Sequence, residues 1–503
     1  MTENSDSSGQ KPNLIIFNPD QWRGDVMGHL GNPGAETPNL DRLVEGEAVS
    51  FQNAFCQNPV CTPSRCSFMT GWYPHVRGHR TMHYMLQPDE PNLLRFLKEA
   101  GYFVWWGGKN DLVPGQFGLE QYCDVKHPHP DRKSRSVWSD LHQQDNWRGR
   151  PEEDRFFSFY YGKIEKPVNF PQEEQFVYDG DWHHILGALT FIRKAPRERP
   201  FCIFLSLGFP HPPYGVEDPW YSQVQRDKVP ARIQTIQDWS KKPSILKGIY
   251  DHQRLWDWTE ERWQELRATY YGMCARVDYQ LGMVLRALKE TGQYDDTALF
   301  FFADHGDFTG DYGLVEKTQN TFEDCLTRVP LVIKPPKNIP IQPGVRDTLV
   351  ELVDFTATIY ELAGIQPGYT HFGESLLPVI AGADQGHREA VFCEGGRIHG
   401  EEQAMEPMLE TGLENWLYYP RVHLQHSEGP EHTKAVMCRT KDFKYVRRLY
   451  ERDELYDLRS DPVELDNRIG DPGLASVEND LKERLMNFFL ETGDVVPFRL
   501  DKR

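Results

Sequence analysis

The chain has 503 residues, too many for one small core, and 39% hydrophobic with 13% aromatic residues excludes wholesale disorder. Its 56 Lys and Arg against 75 Asp and Glu give a formal net charge of −19. Such an acidic surface argues against nucleic acid or an anionic membrane as a main partner.

Taken in chain order, the start (MTENSDSSGQKPNLIIF) is polar, and its apolar run is too short for a secretory leader. No segment approaches the ~20 apolar residues of a membrane span. Nine cysteines without CxxC pairs suit a reducing compartment, so a cytoplasmic location is expected. Five apolar runs predict buried strands: Leu14–Phe17, Tyr102–Trp106, Phe201–Leu207, Thr297–Ala303 and Val329–Ile333. From Leu112 to Pro200 the pattern dissolves into polar sequence such as HPHPDRKSRS (127–136), of the kind that functional insertions take.

Thr259 then predicts an N-cap, with Glu260 and Glu261 in the first turn. Trp263, Leu266, Tyr270, Met273, Val277, Leu281, Val284 and Leu288 recur at helical spacing until Gly292 ends the helix. A second irregular stretch, Arg388 to Thr433, precedes two strands, Ala435–Arg439 and Phe443–Leu449, in a hairpin, and a terminal helix, Val477–Leu490. Strands alternating with helices make this an α/β chain. Length alone admits about three domains; the expected division is a large α/β domain over 1–384 and a smaller α+β domain over 385–503.

Polar residues follow the strands. Asn18-Pro19-Asp20-Gln21 ends the first run, Gly107-Gly108-Lys109-Asn110-Asp111 the second, Phe209-Pro210-His211 the third and Asp304-His305-Gly306-Asp307 the fourth. In a parallel sheet, ligands bind at the carboxyl ends of strands. Four strands would therefore bring Asp20, Lys109, His211, Asp304 and His305 to one edge. Asp20, Asp304 and His305, with the Gln21 amide oxygen, suit a divalent cation; hard oxygen ligands favour calcium, magnesium or manganese, and one imidazole keeps zinc open. Each aspartate taken alone is equally a turn or N-cap residue.

Cys61-Thr62-Pro63-Ser64-Arg65 places a proline where a helix begins. The helix N-terminus would present its amides to Cys61, with Arg65 adding a positive charge. There Cys61 is either a thiol of lowered pKa or a plain buried cysteine; Cys56 and Cys66 are expected to be buried cysteines.

The run Cys61–Arg65, followed by Ser67-Phe68-Met69-Thr70-Gly71, resembles the C-x-P-x-R signature of the type I sulfatases, within the alkaline-phosphatase superfamily. Thr37–Leu43, Gly108-Lys109, His211-Pro212-Pro213, Asp304–Asp307, Lys317, Asp453–Leu458 and Asp461-Pro462 stand in the family's order, so the resemblance spans nearly the whole chain. It implies an alkaline-phosphatase-like fold, a large mixed, mostly parallel sheet flanked by helices with a smaller C-terminal unit. It implies that a separate formylglycine-generating enzyme oxidises Cys61, that one hydroxyl of the hydrated aldehyde attacks sulfur, and that the second expels sulfate. A divalent cation, most simply calcium, would be held by Asp20, Gln21, residue 61, Asp304 and His305. Arg65 would orient the nucleophile, Lys109 and Lys317 would face the sulfuryl oxygens, and His211 would protonate the leaving alcohol or bind the sulfate beside it. His83 is either a pocket residue or a surface one.

Two departures matter. Asp20-Gln21 with Asp304-His305 replaces the Asp-Asp and Asp-Asn of many sulfatases and resembles phosphonate monoester hydrolases and choline sulfatases. Asp111 stands where the family's Gly-Lys-x-His carries histidine. The expected substrate is a sulfated sugar or an aryl or alkyl sulfate, with a phosphonate monoester or phosphodiester as the alternative. A glycan-binding relative without turnover is the third reading. The alcohol half would be bound by the Leu112–Pro200 and Arg388–Thr433 stretches.

Overall fold

In the computed structural model, the described residues are 11–128, 147–148, 159–162, 179–383, 386–408, 417–427 and 429–498. The fold grows around β1 (Asn13–Asp20), whose residues Leu14 to Phe17 are fully buried. After it come α1 (Pro38–Gly46), β2 (Val49–Phe55), α2 (Cys61–Thr70), β3 (Phe103–Gly108) and β4 (Val125–Lys126). Then follow α3 (Gly180–Lys194), β5 (Phe201–Pro210), α4 (Glu260–Glu290) and β6 (Thr297–Phe302). β7 (Arg328–Val329), β8 (Leu331–Lys334), β9 (Gly344–Glu351) and α5 (Val353–Ala363) complete the larger layer.

These strands form a nine-stranded sheet in the order β7-β2-β8-β6-β1-β5-β3-β4, with β9 also on β2. β3, β5, β1 and β6 run parallel at its centre, whereas β8 is antiparallel to β6 and to β2. The sheet is therefore mixed and mostly parallel, with helices packed on it. The run Val329–Ile333 is two strands, because Pro330 lacks the N–H that a continuous ladder requires.

The helix expected after Thr259 forms as α4. The Thr259 hydroxyl accepts from the Arg262 N–H at 3.4 Å, and Gly292 has φ +67°, a conformation that favours glycine. The polar stretches hold more structure than their sequence suggests. Leu112–Pro200 contains the 15-residue α3, and Arg388–Thr433 contains β10 (Val391–Gly395) and α6 (Tyr419–Gln425). β10, β11 (Ala435–Arg439), β12 (Phe443–Arg448) and β13 (Glu454–Asp457) make a four-stranded antiparallel sheet. α7 (Ala475–Thr492) closes the described chain, with Phe488 stacked on Phe392 at 4.1 Å. Among the described residues, no helix is long and apolar enough to cross a membrane.

Candidate active site

The carboxyl ends of the central strands converge as their parallel arrangement requires. β1 delivers Asp20, β3 leads into Lys109, β5 ends at Pro210 just before His211, and β6 leads into Asp304 and His305. Backbone constraints fix these exits. Gly108 has φ +92°, and a Cβ there would lie 1.8 Å from the Ser206 carbonyl oxygen; the Lys109 N–H donates to that carbonyl at 2.8 Å. Any side chain at 108 would push Lys109 out of place. The Asp181 carboxylate accepts from the N–H groups of Gly208 and Phe209, at 2.7 and 2.8 Å, and so holds the end of β5 ahead of His211.

Cys61 is the first residue of α2, with Pro63 in the first turn, and the whole helix is buried. Phe68 anchors it by edge-on contacts with Phe302 on β6 and Phe355 on α5, at 4.9 and 5.9 Å. Burying such a ring contributes about 2 kcal/mol, enough to make the helix position well defined. The thiol thereby lies 3.5 Å from both Asp20 oxygens and 3.2 Å from His305 Nε2. One ligand atom each from Asp20, Cys61, Asp304 and His305 falls within 4.8 Å of the others, and all four residues are buried.

Positive groups surround this cluster. Arg65 pairs with Asp304 at 2.8 Å and Asp20 at 3.4 Å, and also donates to the Ser206 hydroxyl. Lys109 binds Asp20 and pairs with Asp111 at 3.0 Å. Burial raises the Asp20 pKa, but Lys109, His211, Arg65 and His305 outweigh it and hold the carboxyl well below its ordinary range. Cys61 is the opposite case. Burial, reinforced by the Asp20 charge, pushes the thiol well above its ordinary pKa, so the lowered pKa expected at a helix N-terminus is not found.

Lys317 reaches the same cluster. Its ammonium donates to the Gln21 amide oxygen at 2.6 Å and to Glu316 at 2.7 Å, and lies 2.9 Å from His211 Nε2. The Gln21 amide nitrogen donates to Asp307 at 2.5 Å. The side chain of Gln21 thus spans Asp307 and Lys317 beside the carboxylate cluster. Asp307, pushed up to about 6 by burial, also accepts from Tyr214 and Thr309.

His83 is exposed, while Cys56 and Cys66 are buried as expected. Sequence reasoning quoted Asp307 only within the run Asp304–Asp307 and gave it no role, and it did not single out Ser206, Asp181 or Tyr418. Asp307 and Ser206 carry a signal, since they sit at the ends of strands already read. Tyr418 carries none: its hydroxyl lies 3.0 Å from His211 Nε2, 207 residues away. Much of the proposed alcohol-binding region (129–146, 149–158, 163–178 and 409–416) lies outside the described residues.

Comparison with known proteins gives a consistent result. The Sulfatase family model matches residues 12–365. A multifunctional alkaline phosphatase superfamily protein, PehA of Trinickia caryophylli, is 26% identical, covering 96% of this chain and 96% of its own. An ulvan-active sulfatase of Formosa agariphila is 26% identical over 96% of this chain and 82% of its own. The crystal structure of a phosphonate monoester hydrolase of Agrobacterium radiobacter shares the fold, with TM-score 0.73, 23% identity and 96% of each chain covered.

Proposed function

The chain belongs to the sulfatase family of hydrolases, and from there we propose that it releases inorganic sulfate from a sulfated sugar or an aryl or alkyl sulfate through a formylglycine made from Cys61. The observation that carries this reading is the Cys61 thiol, held at the start of α2 within 3.5 Å of Asp20 and His305. A separate generating enzyme would supply the oxidation. Once oxidised and hydrated, residue 61 offers two hydroxyls, one to attack sulfur and one whose ionisation expels sulfate and restores the aldehyde.

The surrounding donors fit a divalent cation. Two carboxylates and an imidazole converge, and the His305 Nδ1 contact with the Gly306 carbonyl, at 2.9 Å, leaves Nε2 facing the cluster. Asp20, Asp304, His305 and residue 61 would hold the ion, with Gln21 beside them; calcium is the expected choice, with manganese, magnesium and zinc as alternatives. Bound there, it would polarise a sulfate oxygen and lower the pKa of the attacking hydroxyl. Arg65 orients that hydroxyl and balances Asp20 and Asp304. Lys109 and Lys317 face the charge that spreads over the sulfuryl oxygens. His211, next to Lys317, stands on the leaving-group side and moves the proton to the departing alcohol.

The test is mass spectrometry of the Cys61 peptide from natively produced, active protein, which should be lighter by about 18 Da than the thiol form. Full activity with an unmodified thiol, or with Cys61→Ala, would refute the mechanism. A second reading, hydrolysis of phosphonate monoesters or phosphodiesters by the same hydroxyl, is supported by Asp20-Gln21 with Asp304-His305, the pairing that resembles phosphonate monoester hydrolases. Aryl sulfates and aryl phosphonates assayed in parallel separate the two: a much higher kcat/KM on the phosphonate selects the second.

A further inference from the structure

Resting on the proposed ester hydrolysis, we propose that Tyr418 is a positioning residue for the leaving-group step, holding His211 from the far side of the active site. Five contacts carry this. The Tyr418 hydroxyl lies 3.0 Å from His211 Nε2, the same nitrogen that meets Lys317 Nζ at 2.9 Å. His211 Nδ1 lies 2.5 Å from the Pro212 carbonyl, a group that can only accept, so Nδ1 carries the hydrogen and the neutral ring presents a lone pair at Nε2. The Tyr418 ring also lies 5.7 Å from the Lys317 ammonium and 4.2 Å from the Arg421 guanidinium, so it faces both cations.

The ring nitrogen is therefore shared by two donors from different parts of the chain. The phenol fixes the imidazole against rotation and sets the separation between Nε2 and Lys317. The tyrosine is itself held. Arg421, three residues on in α6, pairs with Glu406 at 2.8 Å and with Glu316 at 3.4 Å, and Glu316 pairs with Lys317. Buried charge pairs joined in this way tolerate little displacement.

As the sulfur–oxygen bond to the alcohol breaks, its electron pair stays on the leaving oxygen, which takes the proton that the Lys317 ammonium passes to it through His211 Nε2, leaving Lys317 a neutral amine. Loosening His211 should slow this transfer most where the alcohol is a poor leaving group. An acidic phenol departs without much help, so its ester should hardly notice.

The experiment compares Tyr418→Phe with wild type on aryl and alkyl sulfates, and on phosphonates of the same alcohols, spanning a wide range of alcohol pKa. Tyr419→Phe, altering a tyrosine that packs against His423 rather than the site, is the control. Losing one aligned hydrogen bond should lower kcat about tenfold for alkyl esters, with KM little changed, and have a much smaller effect on nitrophenyl esters. A loss that is uniform across the series, no loss at all, or the same profile in Tyr419→Phe would overturn the assignment. Wild-type protein inert on both series would overturn the proposed function as well, whereas active wild type with a flat response in Tyr418→Phe overturns the tyrosine's role alone.

Discussion

Arg65 shows how a single residue ties charge to fold. It is buried between Asp20 and Asp304, themselves fully buried, so its removal leaves two carboxylates with less compensation. Breaking such a buried pair costs about 3–5 kcal/mol. Arg65→Met should accordingly unfold at lower temperature than wild type in chelated buffer, and a divalent cation should recover part of the loss by supplying positive charge at the same carboxylates. Thermal unfolding with and without cation checks this; a variant as stable as wild type in chelated buffer would contradict it. Cys61 makes the complementary point. A helix N-terminus alone suggests a reactive thiol, but burial and the neighbouring Asp20 raise its pKa instead. The unmodified side chain is thus poorly suited to act as a thiolate nucleophile.

Among the elements, α6 is tied to the chain before it by the buried pair of Arg421 with Glu406. Glu406 anchors that segment. Burial works to raise its pKa, but Arg421 and Gln425 outweigh burial and bring it down to about 2, against an ordinary value of 4.5. Below pH 4.5 the unfolded chain binds this proton more readily than the folded one. The contribution is therefore complete above that pH and lost as pH falls toward about 2, with a ceiling of about 3 kcal/mol. Denaturant unfolding of wild type and Glu406→Gln at pH values from about 6 down to about 3 should show a flatter acid limb in the variant; parallel curves would count against this assignment.

The same scale shows what local pattern conveys. The buried central strands announce themselves as continuous apolar runs, because both faces are covered. β2 (VSFQNAF) and β9 (GVRDTLVE) mix polar with apolar residues, and their partly exposed positions mask the pattern. β10 and α6 were hidden for a related reason. Each is short and lies within polar sequence, and each is stabilised by distant partners rather than by its own periodicity.

Across the whole molecule, the antiparallel sheet is bound to the larger one through charge and backbone contacts. Arg388 pairs with Asp354 and, at 3.0 Å, with Glu351; the Glu394 N–H donates to the Gln57 carbonyl at 2.9 Å, and the Asn58 amide to the Glu394 carbonyl at 2.7 Å. Gln57 and Asn58 lie just before Cys61, so this interface supports the start of α2. We propose that a division at 384/385 separates two units that do not melt independently. Calorimetry of the full chain should give one cooperative transition; two well-separated transitions would refute the coupling.

The order of strands and polar exits, the cysteine at a helix start and the family's spaced motifs were all contained in the linear sequence. Each depends on residues near one another in the chain, where propensity and periodicity act directly. Burial and partnership were decided only in three dimensions. Folding placed the Cys61 thiol among carboxylates, set Gln21 between Asp307 and Lys317, and brought Tyr418 to a histidine 207 positions away. Electrostatic and hydrogen-bond energies depend on distance through space and on exclusion of water, and neither quantity is written in the order of residues along a chain.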